Sequence, residues 1–187
     1  MQAPIGPLST ALETARQQLA SCPSFQALVA ATDQPTAAGR IYLAGLPPPA
    51  NREEYSPAEW ESSLRPLAVL YTSSRQGYGR SRTGLYAWRE NGRLFCEIEV
   101  TVPETWTPPE GGPALMLWDY PEQSDRWILN QLGPVIEDFC NLGGTPGNLD
   151  VQSVEVVMGP SREKPEEEPG SGFYYWVLLE ILYGATE

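Results

Sequence analysis

The chain has 187 residues, enough for one domain that buries about 70% of its unfolded surface without a metal or a disulfide. Its 12 Lys and Arg stand against 24 Asp and Glu, a net charge of −12, which argues against a protein that tracks nucleic-acid phosphates through a basic footprint. It has no histidine, so the commonest general base, metal ligand and triad member are missing together.

Three cysteines, Cys22, Cys96 and Cys140, lie far apart with no C-x-x-C spacing and read as reduced thiols of a cytosolic product. The opening Met-Gln-Ala-Pro-Ile-Gly has neither the basic region nor the apolar core of a signal peptide. No apolar run approaches the ~20 residues of a membrane-spanning helix. Glycine and proline concentrate between the apolar runs, as loops do.

In chain order, Thr10-x-x-Glu13 predicts a capping box, followed by Leu8, Leu12, Ala15 and Leu19 at helical spacing. Cys22-Pro23 ends that helix, and 24–30 predicts one or two further turns. A short strand is expected from Arg40 to Leu46. Residues 47–63 are Pro-rich and then charged, and read as a surface insertion with one helical turn near Pro57 to Glu61. Pro66 to Ser73 predicts a strand apolar on both parities, and Leu85 to Arg89 another. Asn91-Gly92 is the strongest hairpin signal, since both central positions of a type I′ turn need positive φ. The strand after it alternates, with Leu94, Cys96, Ile98, Val100 and Val102 inward and Glu97, Glu99 and Thr101 outward.

Residues 103–113 are a Pro-rich connection. Pro121 opens the main helix, with Ile128, Leu132, Val135, Ile136 and Phe139 on one stripe, a bend expected at Gly133-Pro134 and a stop at Gly143-Gly144. A strand from Leu149 to Met158 and an acidic tip at 159–172 lead to the closing strand Phe173 to Tyr183. That strand is apolar on both parities, which predicts a central position with both faces covered. The whole reads as a single α+β domain, 1–187: a mostly antiparallel sheet with helices packed on one face. Its stretches are a helical segment (1–39), first strands with insertions (40–113), the main helix (114–148) and a C-terminal hairpin (149–187).

No arrangement of residues carries catalysis. Lys164, the only lysine, sits in the acidic tip, so Ser-Lys or Cys-Lys chemistry has no framework. Glu97 and Glu99 share a strand face about 7 Å apart, a spacing used in acid–base work, but an outer solvated face explains them. Glu137-Asp138 also reads as solvent-facing, and Cys96 and Cys140 as core thiols. Gly77-x-Gly79 lacks the third glycine of a phosphate loop and a following helix. Arg75, Arg80 and Arg82 with Tyr78 form the one basic cluster, read either as a contact loop or as a solvated one. Tyr174 and Trp176 on the closing strand join them as interface candidates. No cofactor or metal is expected.

Pro66 to Tyr71, the run Phe95-Cys96-Glu97-Ile98-Glu99-Val100-Thr101-Val102-Pro103, the helix Trp127 to Phe139 with its internal Pro134, and the hairpin Val154 to Tyr183 together resemble the tail-terminator family of long-tailed bacteriophages, the lambda-type proteins that cap the finished tail tube. The N-terminal helix with Ser24 to Ala31 is similar to tail-completion proteins of the same fold. Insertions at 47–63 and 103–118 depart from the family pattern. The resemblance implies a hexameric ring with one face on the tail tube protein and the other toward the head connector or a neck protein. It further implies a virion protein assembled in the host cytoplasm, neither an enzyme nor a stable DNA binder, with no membrane partner. A head-closure or neck adaptor is the alternative within that class. A small-ligand module lined by Trp118, Trp127 and Trp176 is the alternative outside it.

Overall fold

Proline opens each of the first two helices. In α1 (Pro7–Ser21) and α2 (Pro23–Leu28) the ring stands at or beside the first helical position, where a missing N–H costs nothing. A computed structural model of the chain describes residues 7–48, 60, 63–72, 78–80, 88–117, 121–143, 151–155 and 174–185. Because α1 already starts at Pro7, Thr10 lies inside its first turn rather than at its N-cap, contrary to the expected box. Glu13 reaches forward instead, accepting from Gln17 Nε2 at 2.6 Å and facing Arg16 at 3.5 Å. Ala11, Ala15 and Leu19 form its buried stripe.

Ala30, at φ 53°, closes α2 in the left-handed conformation, with Ala31 N–H donating back to the Gln26 carbonyl at 2.8 Å. A third helix, α3 (Gln34–Ala38), was not separately predicted. Asp33 caps it by accepting from Thr36 N–H at 2.8 Å, and Arg16 binds the Ala38 carbonyl at its far end. Asp33 followed two residues later by Pro35 was the signal for it.

The strands are β1 (Ile41–Leu43), β2 (Leu67–Thr72), β3 (Tyr78–Arg80), β4 (Trp88–Thr101), β5 (Thr105–Trp106), β6 (Leu115–Met116), β7 (Val151–Glu155) and β8 (Tyr174–Ala185). Among the described residues the main sheet has six strands along the path β1-β2-β4-β8-β7, with β3 added beside β4. Of these pairs β1–β2 is parallel and the others are antiparallel. The closing strand β8 is therefore internal, as its apolar character predicts.

Asn91-Gly92 is not a turn. β4 runs straight through it, with Asn91 opposite Gly184 and Gly92 opposite Tyr183 in a ladder that extends unbroken from Glu90 to Thr101. A two-residue turn preference is local and weak beside hydrogen bonds distributed along a whole strand, so the long pairing with β8 prevails. The connection after β4, expected as plain loop, carries the small hairpin β5–β6. Its Trp106 packs on the core, and Gly111 and Gly112 supply positive φ at its bend.

The main helix, α4 (Pro121–Gly143), has the predicted ends and continues through Gly133-Pro134. Ile128, Leu132, Val135 and Phe139 are buried on one stripe, with Ile136 half-buried at its margin. These residues meet the α1 and α2 stripes, Ala68 and Leu70 of β2, Leu94, Cys96, Ile98 and Val100 of β4, and Leu179 and Ile181 of β8 in one core. Every strand residue in that set shares one sheet parity. The helices thus cover one face, the inner one, and the chain is α+β.

The acidic tip, Leu85, Arg75, Arg82 and Trp118 lie outside the described residues, and of Pro57 to Glu61 only Trp60 is described, helical and donating from Nε1 to the Pro47 carbonyl at 2.7 Å.

Candidate functional site

The register places Leu67, Val69 and Tyr71 of β2 opposite Glu99, Glu97 and Phe95 of β4, and these opposite Trp176, Leu178 and Glu180 of β8. This is the outer face. Its character changes along the strands. At the Leu67 end the face is closed: Leu67 is fully buried, and Arg65 Nε donates to Glu99 Oε2 at 2.7 Å, the two side chains keeping 6% and 11% of their exposure. At the Tyr71 end it is half-open: Tyr71, Phe95, Glu97, Leu178 and Glu180 are all half-buried.

Glu97 and Glu99 therefore share a face, as the alternation predicts, but that face is not simply solvated. Among the described residues Arg65 is the arginine beside these two carboxylates, and Glu99 holds it. Glu97 stands between Val69 and Leu178 in the register. Burial in that aliphatic setting is the main force holding its carboxyl above the usual range. The Glu99 charge adds to the rise, while the Tyr71 hydroxyl, 3.5 Å away, and Arg65 oppose it. Tyr71 is likewise raised, chiefly by burial and then by the Glu97 charge. Its ring stacks on Phe95 with centroids 5.6 Å apart, which gives the open end a stiff aromatic centre.

The predicted interface residues divide between two places. Tyr174 and Trp176 stand opposite Thr101 and Glu99, on the outer parity. Tyr78 and Arg80 stand opposite Glu90 and Trp88, on the other parity, where β3 extends the sheet beyond the end of β2. Arg65, Tyr71 and Phe95 were missed, because nothing local distinguishes an arginine before Pro66 or an aromatic ending an apolar run.

The seam between α2 and α4 brings together a second group. Ser24 donates to Asp138 Oδ2 from both its backbone N–H, at 3.1 Å, and its hydroxyl, at 2.5 Å. Gln18 reaches the Phe139 carbonyl at 3.3 Å. Asp138 is thus a packing ligand rather than a solvent-facing acid, while Glu137 is exposed as expected. Cys96 is buried as predicted, but Cys140 is exposed: one residue past Phe139 rotates it off the buried stripe. Burial, then the nearby Asp138 and Cys140, push the Cys22 thiol up to about 12, so it is a poor nucleophile. Trp127 is a core residue.

Among the described residues no group of His, Cys, Asp and Glu is placed to hold a metal ion, and no helix is long and apolar enough to cross a membrane. No protein-family model matches the chain, and no curated protein matches it in sequence.

Proposed function

We propose that the protein is a virion assembly subunit of a long-tailed bacteriophage, a tail terminator or tail-completion protein whose copies form a ring on the tail tube and join it to the head. What supports the reading is the outer sheet face. Helices of the same chain close the inner face, while half of the outer one keeps a stacked Tyr71–Phe95 pair, Leu178 and a desolvated Glu97 only half-covered. A half-covered aromatic patch edged by charge is the anatomy of a protein contact. The order of helix, alternating strand, main helix and closing hairpin adds the resemblance to tail terminators, and from it come the six copies, the tail tube and head connector as partners, and the virion as location. The acidic charge suits a ring that passes DNA without holding it.

The small-ligand alternative loses one of its lining residues, since Trp127 packs in the core. Deleting the gene from the phage that carries it tests the reading. Overlong tails unattached to filled heads are expected; normal-length tails joined to heads would overturn it.

A further inference from the structure

Helix α4 carries two apolar stripes. Ile128, Leu132, Val135 and Phe139 point into the core. Leu129, Gly133, Ile136 and Cys140 repeat the same i, i+4, i+7, i+11 spacing one residue later, about 100° round the helix and roughly 16 Å along it. This second stripe faces outward. Leu129 is 54% exposed, the most exposed large apolar side chain among the described residues. Cys140 is exposed as well, and Ile136 is half-buried at the margin nearest the core. Gly133 stands between Leu129 and Ile136. Beyond its own stretch of helix, no atom lies within 4 Å of where a Cβ would stand there. The middle of the stripe is therefore an open notch with an apolar side chain on either side.

The core accounts for the first stripe and asks nothing apolar of position 129. The border of the second stripe is acidic. Glu122 continues its line toward the start of α4, Asp125 lies one turn before Leu129, and Glu137 adjoins Ile136. Glu122 and Glu137 are exposed and Asp125 is half-buried. Arg126, the one base in α4, is held by Glu110 from the turn between β5 and β6.

We infer that the outward stripe of α4 docks an amphipathic helix of a partner protein, one whose apolar row is flanked by Lys or Arg. Apolar side chains of that helix seat in the notch at Gly133, against Leu129 and Ile136, in the helix-on-groove mode read by anchors three and four residues apart. Its basic flanks meet Glu122, Asp125 and Glu137. Charge also selects against other occupants. A second copy of α4 brings the same acids, and an anionic lipid surface repels them in the same way. The stripe lies on a helix, away from the outer sheet face, so the inference does not rest on the assembly reading.

Two synthetic helical peptides with the same Leu row, one flanked by Lys and the other by Glu, test it. Binding is read by anisotropy of the labelled peptide and by protection of Cys140 from a thiol reagent. Cys140 is the exposed thiol, Cys22 and Cys96 being buried, so its reaction rate reports on this stripe. The Lys peptide should bind and slow that reaction, and the Glu peptide should bind at least roughly tenfold more weakly. Leu129→Gln keeps a good helix former at an exposed position and should fold normally, yet weaken the Lys peptide by roughly tenfold. Glu137→Lys, also at an exposed position, tests the charge border separately and should narrow the gap between the two peptides. The inference is overturned by a Lys peptide that neither binds nor protects, by equal binding of both peptides, or by binding that Leu129→Gln leaves unchanged. Self-association, or binding to phosphatidylglycerol vesicles, that Leu129→Gln abolishes would assign the stripe to a second copy or to a membrane and overturn it too. None of these outcomes bears on the gene deletion that tests the assembly role.

Discussion

Along β4, Leu94, Cys96, Ile98 and Val100 lie beneath helices of the same chain, each 0–2% exposed. The residues between them, Phe95, Glu97 and Glu99, share their face with Tyr71, Leu178 and Arg65. The inner set is held by non-directional burial, which depends on area and shape. The outer set is held by the Arg65–Glu99 ion pair and the stacked Tyr71–Phe95 pair, with the half-buried Glu97 carboxyl among them. Two faces of the same strand thus fail differently: the inner by cavities, the outer by unpaired charge.

The largest effect should come from the smaller group of contacts. Arg65→Ala removes the cation that holds the buried Glu99 and should cost about 4 kcal/mol in urea unfolding. Arg65→Met with Glu99→Leu should recover most of that loss, since neither charge remains. An Arg65→Ala loss under 1 kcal/mol would show that water reaches the pair.

On the inner face, Ile98→Ala should cost about 3 kcal/mol through lost burial and a residual cavity. Adding Glu99→Leu should leave that loss in place, whereas it should relieve most of the Arg65→Ala loss. Relief on both faces would erase the distinction between them.

The smallest effect concerns Glu97. Its folded-state carboxyl is raised, so the native state holds that proton more tightly than the unfolded chain does. Stability from this group is therefore present at low pH and is lost as pH rises from the ordinary Glu range, about 4.3, through the higher folded value. Glu97→Gln should be more stable than wild type near pH 7, with the advantage shrinking toward pH 4. A variant less stable at neutral pH would mean that the ionised carboxylate is the native form.

Much of this was legible in the chain itself. Helix α4 could be read to its ends because Pro121, an apolar stripe and Gly143 are local signals with local causes. The alternation of 94–102 assigned the inner face correctly because side-chain direction along a strand has a strict period of two. The apolar character of β8 on both parities announced an internal strand.

Other features were decided only when distant segments met. Asn91-Gly92 became strand because β8, some ninety residues later, supplied a partner for each residue. Glu99 became a buried ion pair, not a solvated acid, because Arg65 arrived from before β2. Asp138 became a ligand of Ser24 for the same kind of reason. Cys140 had an apolar neighbourhood in sequence yet faces outward, since one position of helical rotation outweighs hydropathy. Periodicity is written in consecutive residues and can be read from them; pairing, burial of charge and the contrast between the sheet's two faces depend on which segments come together, and that is a property of the folded chain.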